Sequence, residues 1–382
     1  MKIAYCIPSC HKSGGMERVL SIKANYLADV LGWDVTIITT EVSDEERHFT
    51  LSERVRVHCL DVNYGDNRNF ASLLIHRFAC KRKHRQRLAR FLLAEHFDVC
   101  VSMFCHEMSF LTSIRDGSKK VLELHFCKSF RYLDQLYNGR SLLVRGLGYV
   151  QTFYEQSKIK HYDAFVVLSK EDALKWERVC RCKVISNPAI TPEVTYPDYA
   201  AKRAVAVGRI CPQKGFDMLL RIWNMLPTAL KDEWKLDIYG GGNQRELLAQ
   251  IQEMGLQKTV QLCGVSKDII RELQRASVFC FPSRYEGFGM ALAEAMLTGL
   301  PPVSFSCPSG PSDIITHGKT GYLVPVGDLQ EFCTLLQDLM QDQKRREEMG
   351  RAARAFVSST YSLEIIMKKW ETLFRELISV ER

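Results

Sequence analysis

Ser277-Val278-Phe279-Cys280-Phe281-Pro282 runs directly into Ser283-Arg284-Tyr285-Glu286-Gly287-Phe288-Gly289-Met290-Ala291-Leu292-Ala293-Glu294-Ala295-Met296. The first part is a short apolar run closed by a turn signal, the pattern of a buried strand. The last part is rich in Ala, Leu and Met, with strong helix propensity. A strand therefore passes through a glycine-flanked turn into a helix. Gly287 and Gly289 let the backbone come close to a ligand. A helix start offers free N–H groups and the positive end of the dipole, which suits a phosphate. Glu286 stands in the turn and Glu294 follows eight residues later, about 12 Å on if the whole span were helical. Glutamates at such a spacing are common on surfaces. The glycines between this pair and the buried strand before it mark it as a candidate site.

The same strand-turn-helix rhythm extends in both directions. Upstream, Ile3–Pro8 reads as a first strand, residues 9–15 as a polar loop carrying Gly14 and Gly15, Met16–Leu31 as a helix and Trp33–Thr39 as a second strand. Further strands are expected at Val55–Leu60, Val99–Phe104, Lys120–Leu124 and Ala164–Leu168. His125 follows one of them, at the carboxyl end where open parallel sheets bind ligands. Lys128–Tyr162 is aromatic and basic, with several helical stretches. After Pro188 the pattern breaks, with Pro192 and Pro197 in a segment of little periodicity that reads as a linker. The pattern then restarts at Ala204–Arg209, continues through Leu236–Tyr239, Val260–Val265, Ser277–Phe281 and Pro302–Ser306, and ends on three helical segments. Two α/β domains, each built on a parallel sheet, are the expected fold.

With these elements in place the chain resembles the retaining family-four glycosyltransferases. Glu286 to Glu294 matches their E-x7-E motif, Gly208-Arg209-Ile210-Cys211-Pro212-Gln213-Lys214-Gly215 their G-R-x-x-x-x-K-G pattern, and Gly14-Gly15-Met16-Glu17 their GG-x-E loop. Cys307-Pro308-Ser309-Gly310-Pro311 is similar to their C-P-T-G-P loop, with Ser309 where threonine is usual. The resemblance covers almost the whole chain, most specifically in its second half. It implies the GT-B fold: two Rossmann-like domains facing a cleft, with the C-terminal helix crossing back to the first. The boundaries expected are 1–188 for an acceptor-binding domain, 189–203 for the linker, 204–358 for a donor-binding domain and 359–382 for the returning helix. By the same resemblance the catalytic set is Glu286, His125, Arg209 and Lys214. Gly14, Gly15, Gly264, Val265, Gly287, Phe288, Gly289, Met290 and Glu294 join Arg209, Lys214 and Glu286 around the donor, with Glu294 on the ribose. The activity implied is transfer of a sugar, with retention, from a nucleoside-diphosphate donor such as a UDP-sugar to a glycan or lipid-linked acceptor in surface polysaccharide biosynthesis.

The chemistry of the residues is consistent with that. A departing diphosphate gains negative charge in the transition state, and placed cations such as Arg209 and Lys214 stabilise it. No D-x-D triplet occurs in the chain, so no metal or other cofactor is expected. A nucleotide-sugar epimerase of the same fold, or a non-catalytic sugar-nucleotide binder, would share many of these features. A two-carboxylate glycosidase would use Glu286 and Glu294 but leave Arg209 and Lys214 without a role.

Bulk properties set the frame. A chain of 382 residues, 46% apolar and 25% charged, is an ordinary globular composition of two or three domains. The first eight residues turn polar too soon for a signal peptide, and no apolar run is long enough to span a bilayer, so a cytoplasmic protein is expected. The fourteen cysteines fall at no framework spacing and read as free thiols. Net charge is +8, and residues 76–90 hold Arg77, Lys81, Arg82, Lys83, Arg85, Arg87 and Arg90 with no acid. That run is either a solvated helix face or a contact with anionic lipid at the inner membrane face. Nucleic-acid signatures are missing, so no nucleic-acid partner is expected.

Overall fold

The computed structural model describes every residue except 13, 43–45, 65–69, 191–194 and 380–382. Ser13 of the first loop and Pro192 of the expected linker therefore lie outside the described residues.

Two parallel sheets carry the structure. The first contains β1 (Lys2–Ile7), β2 (Asp34–Thr39), β3 (Val55–Cys59), β4 (Val99–Ser102), β5 (Lys119–Leu124), β6 (Ala164–Val167) and β7 (Lys183–Val184), in the order β3-β2-β1-β4-β5-β6-β7. The second contains β8 (Arg203–Val207), β9 (Lys235–Tyr239), β10 (Val260–Gly264), β11 (Val278–Phe281), β12 (Pro302–Phe305) and β13 (Tyr322–Val324), in the order β10-β9-β8-β11-β12-β13. Central strands such as β4, β6, β11 and β12 are buried at every residue. Helices cover both faces of such sheets, which is why these strands read as continuous apolar runs rather than alternating ones.

In each sheet the strand order reverses once. The reversal lies between β1 and β4, where Ile3 pairs with Val99, and between β8 and β11, where Val278 pairs with Ala204. At such a reversal the connections leave on opposite faces and open a crevice beyond the carboxyl ends. The loop ending in Gly14 leaves β1 and the turn through Glu286 leaves β11, so each element singled out in the sequence sits at a switch point.

One apolar cluster runs from Tyr5, Val101 and Val121 of the first sheet through Phe281, Leu292 and Met296 to Trp370 and Phe374. Separate clusters fill the outer side of each half. The last helix, Leu363–Ser379, crosses back onto the first half. Phe374 packs on Trp33 with ring centroids 6.2 Å apart, and Lys23 Nζ lies 3.6 Å from the Trp370 ring centre. Strand positions agree with the sequence reading to within about two residues, the usual slack at element ends. The first helix differs. It is α-helical over Gly15–Asn25 and then widens into a π-helical turn over Tyr26–Val30, closed by the Leu31 amide donating to the Tyr26 carbonyl. All fourteen cysteines are unbridged, though Cys263 is only partly buried, because β10 is the edge strand of its sheet.

Candidate active site

The turn after β11 is braced before it reaches the helix Met290–Thr298. Arg284 makes two bonds to Asp217, at 2.8 and 2.6 Å, and its amide donates to the Gln213 carbonyl. Gln213 Nε2 donates back to the Tyr285 carbonyl at 2.9 Å, and the Glu286 amide donates to the Pro308 carbonyl at 2.7 Å. The loop after β8, the turn and the loop through Cys307–Pro311 thus form one hydrogen-bonded unit. It brings Lys214 to Glu286, whose Oε1 accepts from the ammonium at 2.6 Å, with both side chains largely buried. Arg209 is exposed on the same loop.

Gly289 has φ near +99°, a left-handed conformation at the N-cap of the helix that favours glycine. Gly287 plays a part other than the one expected. A Cβ there would stand 2.0 Å from the His125 carbonyl oxygen, so the missing side chain admits the backbone of the first half rather than a ligand. Phe288 is likewise turned away from the cleft. It is 2% exposed and packs edge-on against Tyr361 at 5.3 Å, so only its backbone is available to a donor. Met290 is half-buried at the helix start. Glu294 is 4% exposed, about one turn further along, and burial pushes its carboxyl up. Val265 is exposed beside Gly241, while the Gly264 carbonyl is already used, accepting from the Gly240 amide at 2.7 Å.

From the first half come His125 and the loop at Gly14 and Gly15. His125 is nearly buried, with Nε2 3.2 Å from Glu123 Oε1 in a contact without hydrogen-bond alignment. Glu123 also accepts from Lys23 at 2.5 Å, and both of those side chains are fully buried. Burial opposes the charge on Glu123, but Lys23 and His125 outweigh it and hold its carboxyl down to about 2. The chain Lys23–Glu123–His125, seated on Trp370, anchors the histidine at the end of β5. At the first loop, the Glu17 carboxylate is folded over Gly14, with Oε2 2.1 Å from where a Cβ would be, whereas Gly15 faces open space. The expected approach of a diphosphate to these amides therefore requires Glu17 to turn aside. Burial raises the Glu17 carboxyl, against the pull of its own amide, Lys12, His125 and Arg209. Arg18, the next residue, lies 2.7 Å from Glu294 Oε1 across the cleft.

A cavity of about 290 Å³ opens between the halves, lined by Phe126, Phe130, Arg131, Asp134, Arg209 and Tyr285 among others. One wall is the helix Phe130–Tyr137, held to the turn by Tyr285 Oη donating to Asp134 at 3.1 Å. A larger cavity of about 430 Å³ lies at the opposite, amino ends of β5 and β6, against the last helix. It is remote from the carboxyl ends, where this fold places ligands. Among the described residues no group of three or more His, Cys, Asp or Glu is placed to hold a metal ion.

The structure thus gathers Glu286, Lys214, Arg209, His125 and Glu294 at one cleft. Glu17, noted in the sequence only as part of the GG-x-E motif, and Arg18 and Tyr285, which were given no site role there, belong to it as well. Glu17 and Arg18 carried a signal, since they occupy the first turn of the helix after the glycine loop. Tyr285 carried none, because its partner Asp134 is 151 residues away.

A family profile described as "Glycosyl transferases group 1" matches residues 198–356. An uncharacterised glycosyltransferase of Haemophilus influenzae is 26% identical over 377 residues, covering 97% of this chain and 99% of the relative. A Campylobacter jejuni alpha-1,4-N-acetyl-D-galactosaminyltransferase, whose name specifies a PP-undecaprenol-linked glycan, is 25% identical, with 99% of each chain covered. The solved sucrose-phosphate synthase of Thermosynechococcus elongatus superposes with a TM-score of 0.83 over 99% of both chains at 18% identity. The profile match spans the stretch that carries Arg209, Lys214, Glu286 and Glu294, so that stretch is similar to the group 1 glycosyltransferases, and the paired parallel sheets give the chain the GT-B fold.

Proposed function

We propose that the chain transfers a sugar from a nucleoside-diphosphate donor, with UDP-sugars the first to test, to a glycan or lipid-linked acceptor, keeping the anomeric configuration. The observation that carries this is the pair of carboxylates, Glu286 and Glu294, each beside a cation in a cleft that also holds Arg209. In this reading residues 204–358 bind the donor and 1–188 the acceptor, with 189–203 between them and 359–382 returning to the first half. Glu294 takes the ribose hydroxyls, Glu286 the sugar hydroxyls, and Arg209 and Lys214 the diphosphate, helped by the start of the helix at Met290. His125 stands on the acceptor side. The full-length Campylobacter relative supports a glycan carried on a lipid diphosphate as acceptor class.

The way Glu286 is held supports retention without a covalent intermediate. Paired to Lys214 at 2.6 Å, it is a neutralised hydrogen-bonding group rather than a free nucleophile. Arg209 and Lys214 hold the leaving diphosphate on the face the acceptor approaches, and its departing oxygen takes the acceptor proton. Such a step depends on positioning and charge stabilisation. NMR of the first-formed product tests it. The expected result is an α-linked product from an α-linked donor; a β-linked product overturns the proposal. A glycosyl group trapped on Glu286 would keep retention and overturn the front-face route. We also propose that no metal takes part, so that chelation leaves turnover unchanged, and that the reaction runs in the cytoplasm.

A further inference from the structure

Glu294 presents an unusual combination. The residue is 4% exposed, and its Oε1 accepts no hydrogen bond. Arg18 Nη1 lies 2.7 Å from that oxygen, in ion-pair contact but without the alignment of a hydrogen bond. A carboxylate oxygen so placed has its charge compensated while its lone pairs stay available to another donor. Burial on its own favours the neutral acid, and Arg18 is the group that opposes it. Other charged groups around the helix Met290–Thr298 are engaged elsewhere. Lys214 is held by Glu286, and Arg284 by Asp217. Glu272 on one packed helix meets Tyr239 and Arg275, and Arg346 on another binds backbone carbonyls. Arg18 reaches Glu294 because Gly14 starts its helix at the cleft, with the Arg18 amide donating to the Gly14 carbonyl at 3.1 Å.

We propose that Arg18 is a positioning residue for the nucleotide, holding the buried Glu294 as an oriented carboxylate ready to accept the two ribose hydroxyls. The inference rests on the reading that Glu294 binds the ribose. A protonated Glu294 would lose half of its acceptor capacity, and vicinal hydroxyls need an acceptor for each hydrogen.

The test is a double-mutant cycle on the full chain, read as the Kd for UDP by titration calorimetry, with GDP and ADP in parallel and thermal melting as the folding control. Arg18→Ala is expected to weaken nucleotide binding by about 10-fold or more, as when one partner of a buried charge pair is truncated. Arg18→Lys keeps the charge and recovers most of that loss. Glu294→Gln weakens binding comparably, and Arg18→Ala added to it costs less than about twofold more, because the two act as one unit. If Glu294→Gln leaves Kd unchanged, the ribose reading itself falls and this inference with it. If Glu294→Gln weakens binding but Arg18→Ala does not, the inference alone is overturned. Additive losses in the double variant, or an Arg18→Lys no better than Arg18→Ala, overturn it too.

Discussion

Lys214 and Glu286 come from loops 72 residues apart and meet at 2.6 Å in a largely buried place. Substituting Lys214 or Arg209 by alanine is expected to cost about 2–4 kcal/mol of transition-state stabilisation, the scale of one removed oxyanion donor. That appears as a fall in kcat of roughly 30- to 1,000-fold, with the thermal midpoint changed far less. Unaltered kinetics in both variants would remove them from the site. Glu107 shows the opposite use of burial. It lies fully buried just past β4 and accepts from Ser102 Oγ at 2.6 Å, and desolvation lifts its carboxyl to about 7. A folded pKa raised above the ordinary 4.5 gives a contribution that is present below that value and lost as pH rises through about 7. The ionised group then costs the fold about 3 kcal/mol. Glu107→Gln should therefore gain stability relative to the wild type between pH 4.5 and 7, seen in denaturant melts at both ends. A difference that does not vary with pH would contradict it.

At the scale of elements, the basic run lies on the helix Phe70–Glu95, and its two faces differ. Cys80, His84, Leu88 and Leu92 point inward, while Phe78, Arg82 and Arg85 share the exposed side, with Phe78 75% exposed. Lys83 and Arg87 are drawn to Asp61 and spend part of their charge within the fold. No helix among the described residues is long and apolar enough to cross a membrane. An exposed aromatic among arginines is nonetheless the composition of a surface-lying contact. We propose that this face touches anionic lipid, which would bring a lipid-linked acceptor to the cleft. Vesicles containing phosphatidylglycerol should bind the protein at low salt and release it as salt screens the charges. Binding should fall sharply when Arg82 and Arg85 become glutamate, and wild-type protein that ignores such vesicles at low salt would end the idea.

For the whole molecule, the decisive contact is between backbones. Gly287 lies against the His125 carbonyl, and Gly310, at φ near +104°, lies against the Phe288 carbonyl, so the turn is wedged between the first half and the Cys307–Pro311 loop. Gly287→Ala places a Cβ 2.0 Å from a backbone oxygen that has no rotamer to change. The halves must then part at the cleft. The expected outcome is a larger radius of gyration in solution scattering and a loss of turnover exceeding any loss of thermal stability. A variant of unchanged radius and activity would show that the cleft tolerates a wider spacing. Further contacts across the halves, Ser312 Oγ to Glu171 at 3.1 Å and the Ala189 amide to the Tyr361 carbonyl at 2.8 Å, would hold the remainder of the interface.

The sequence by itself determined the paired parallel sheets and the elements that bear the site. Apolar runs such as Val278–Phe281, and the Glu286-Gly287-Phe288-Gly289 turn into an Ala-rich helix, are local signals that depend on neighbours a few residues away. The same holds for His125, Arg209 and Glu286, which follow strands, for Lys214 on the loop after β8 and for Glu294 in the helix after the turn. The tertiary structure alone decided how those groups are paired. Lys214 on Glu286, Arg18 on Glu294, Lys23 beneath Glu123 and His125, and Tyr285 on Asp134 join residues 72 to 276 positions apart. It also turned Phe288 into the core and gave Gly287 to the neighbouring backbone instead of to a ligand. The physical reason is one of range. Helix and strand formation follow from periodicity along the chain, whereas the state of a buried charge follows from whichever opposite charge the fold brings within a few ångströms of it.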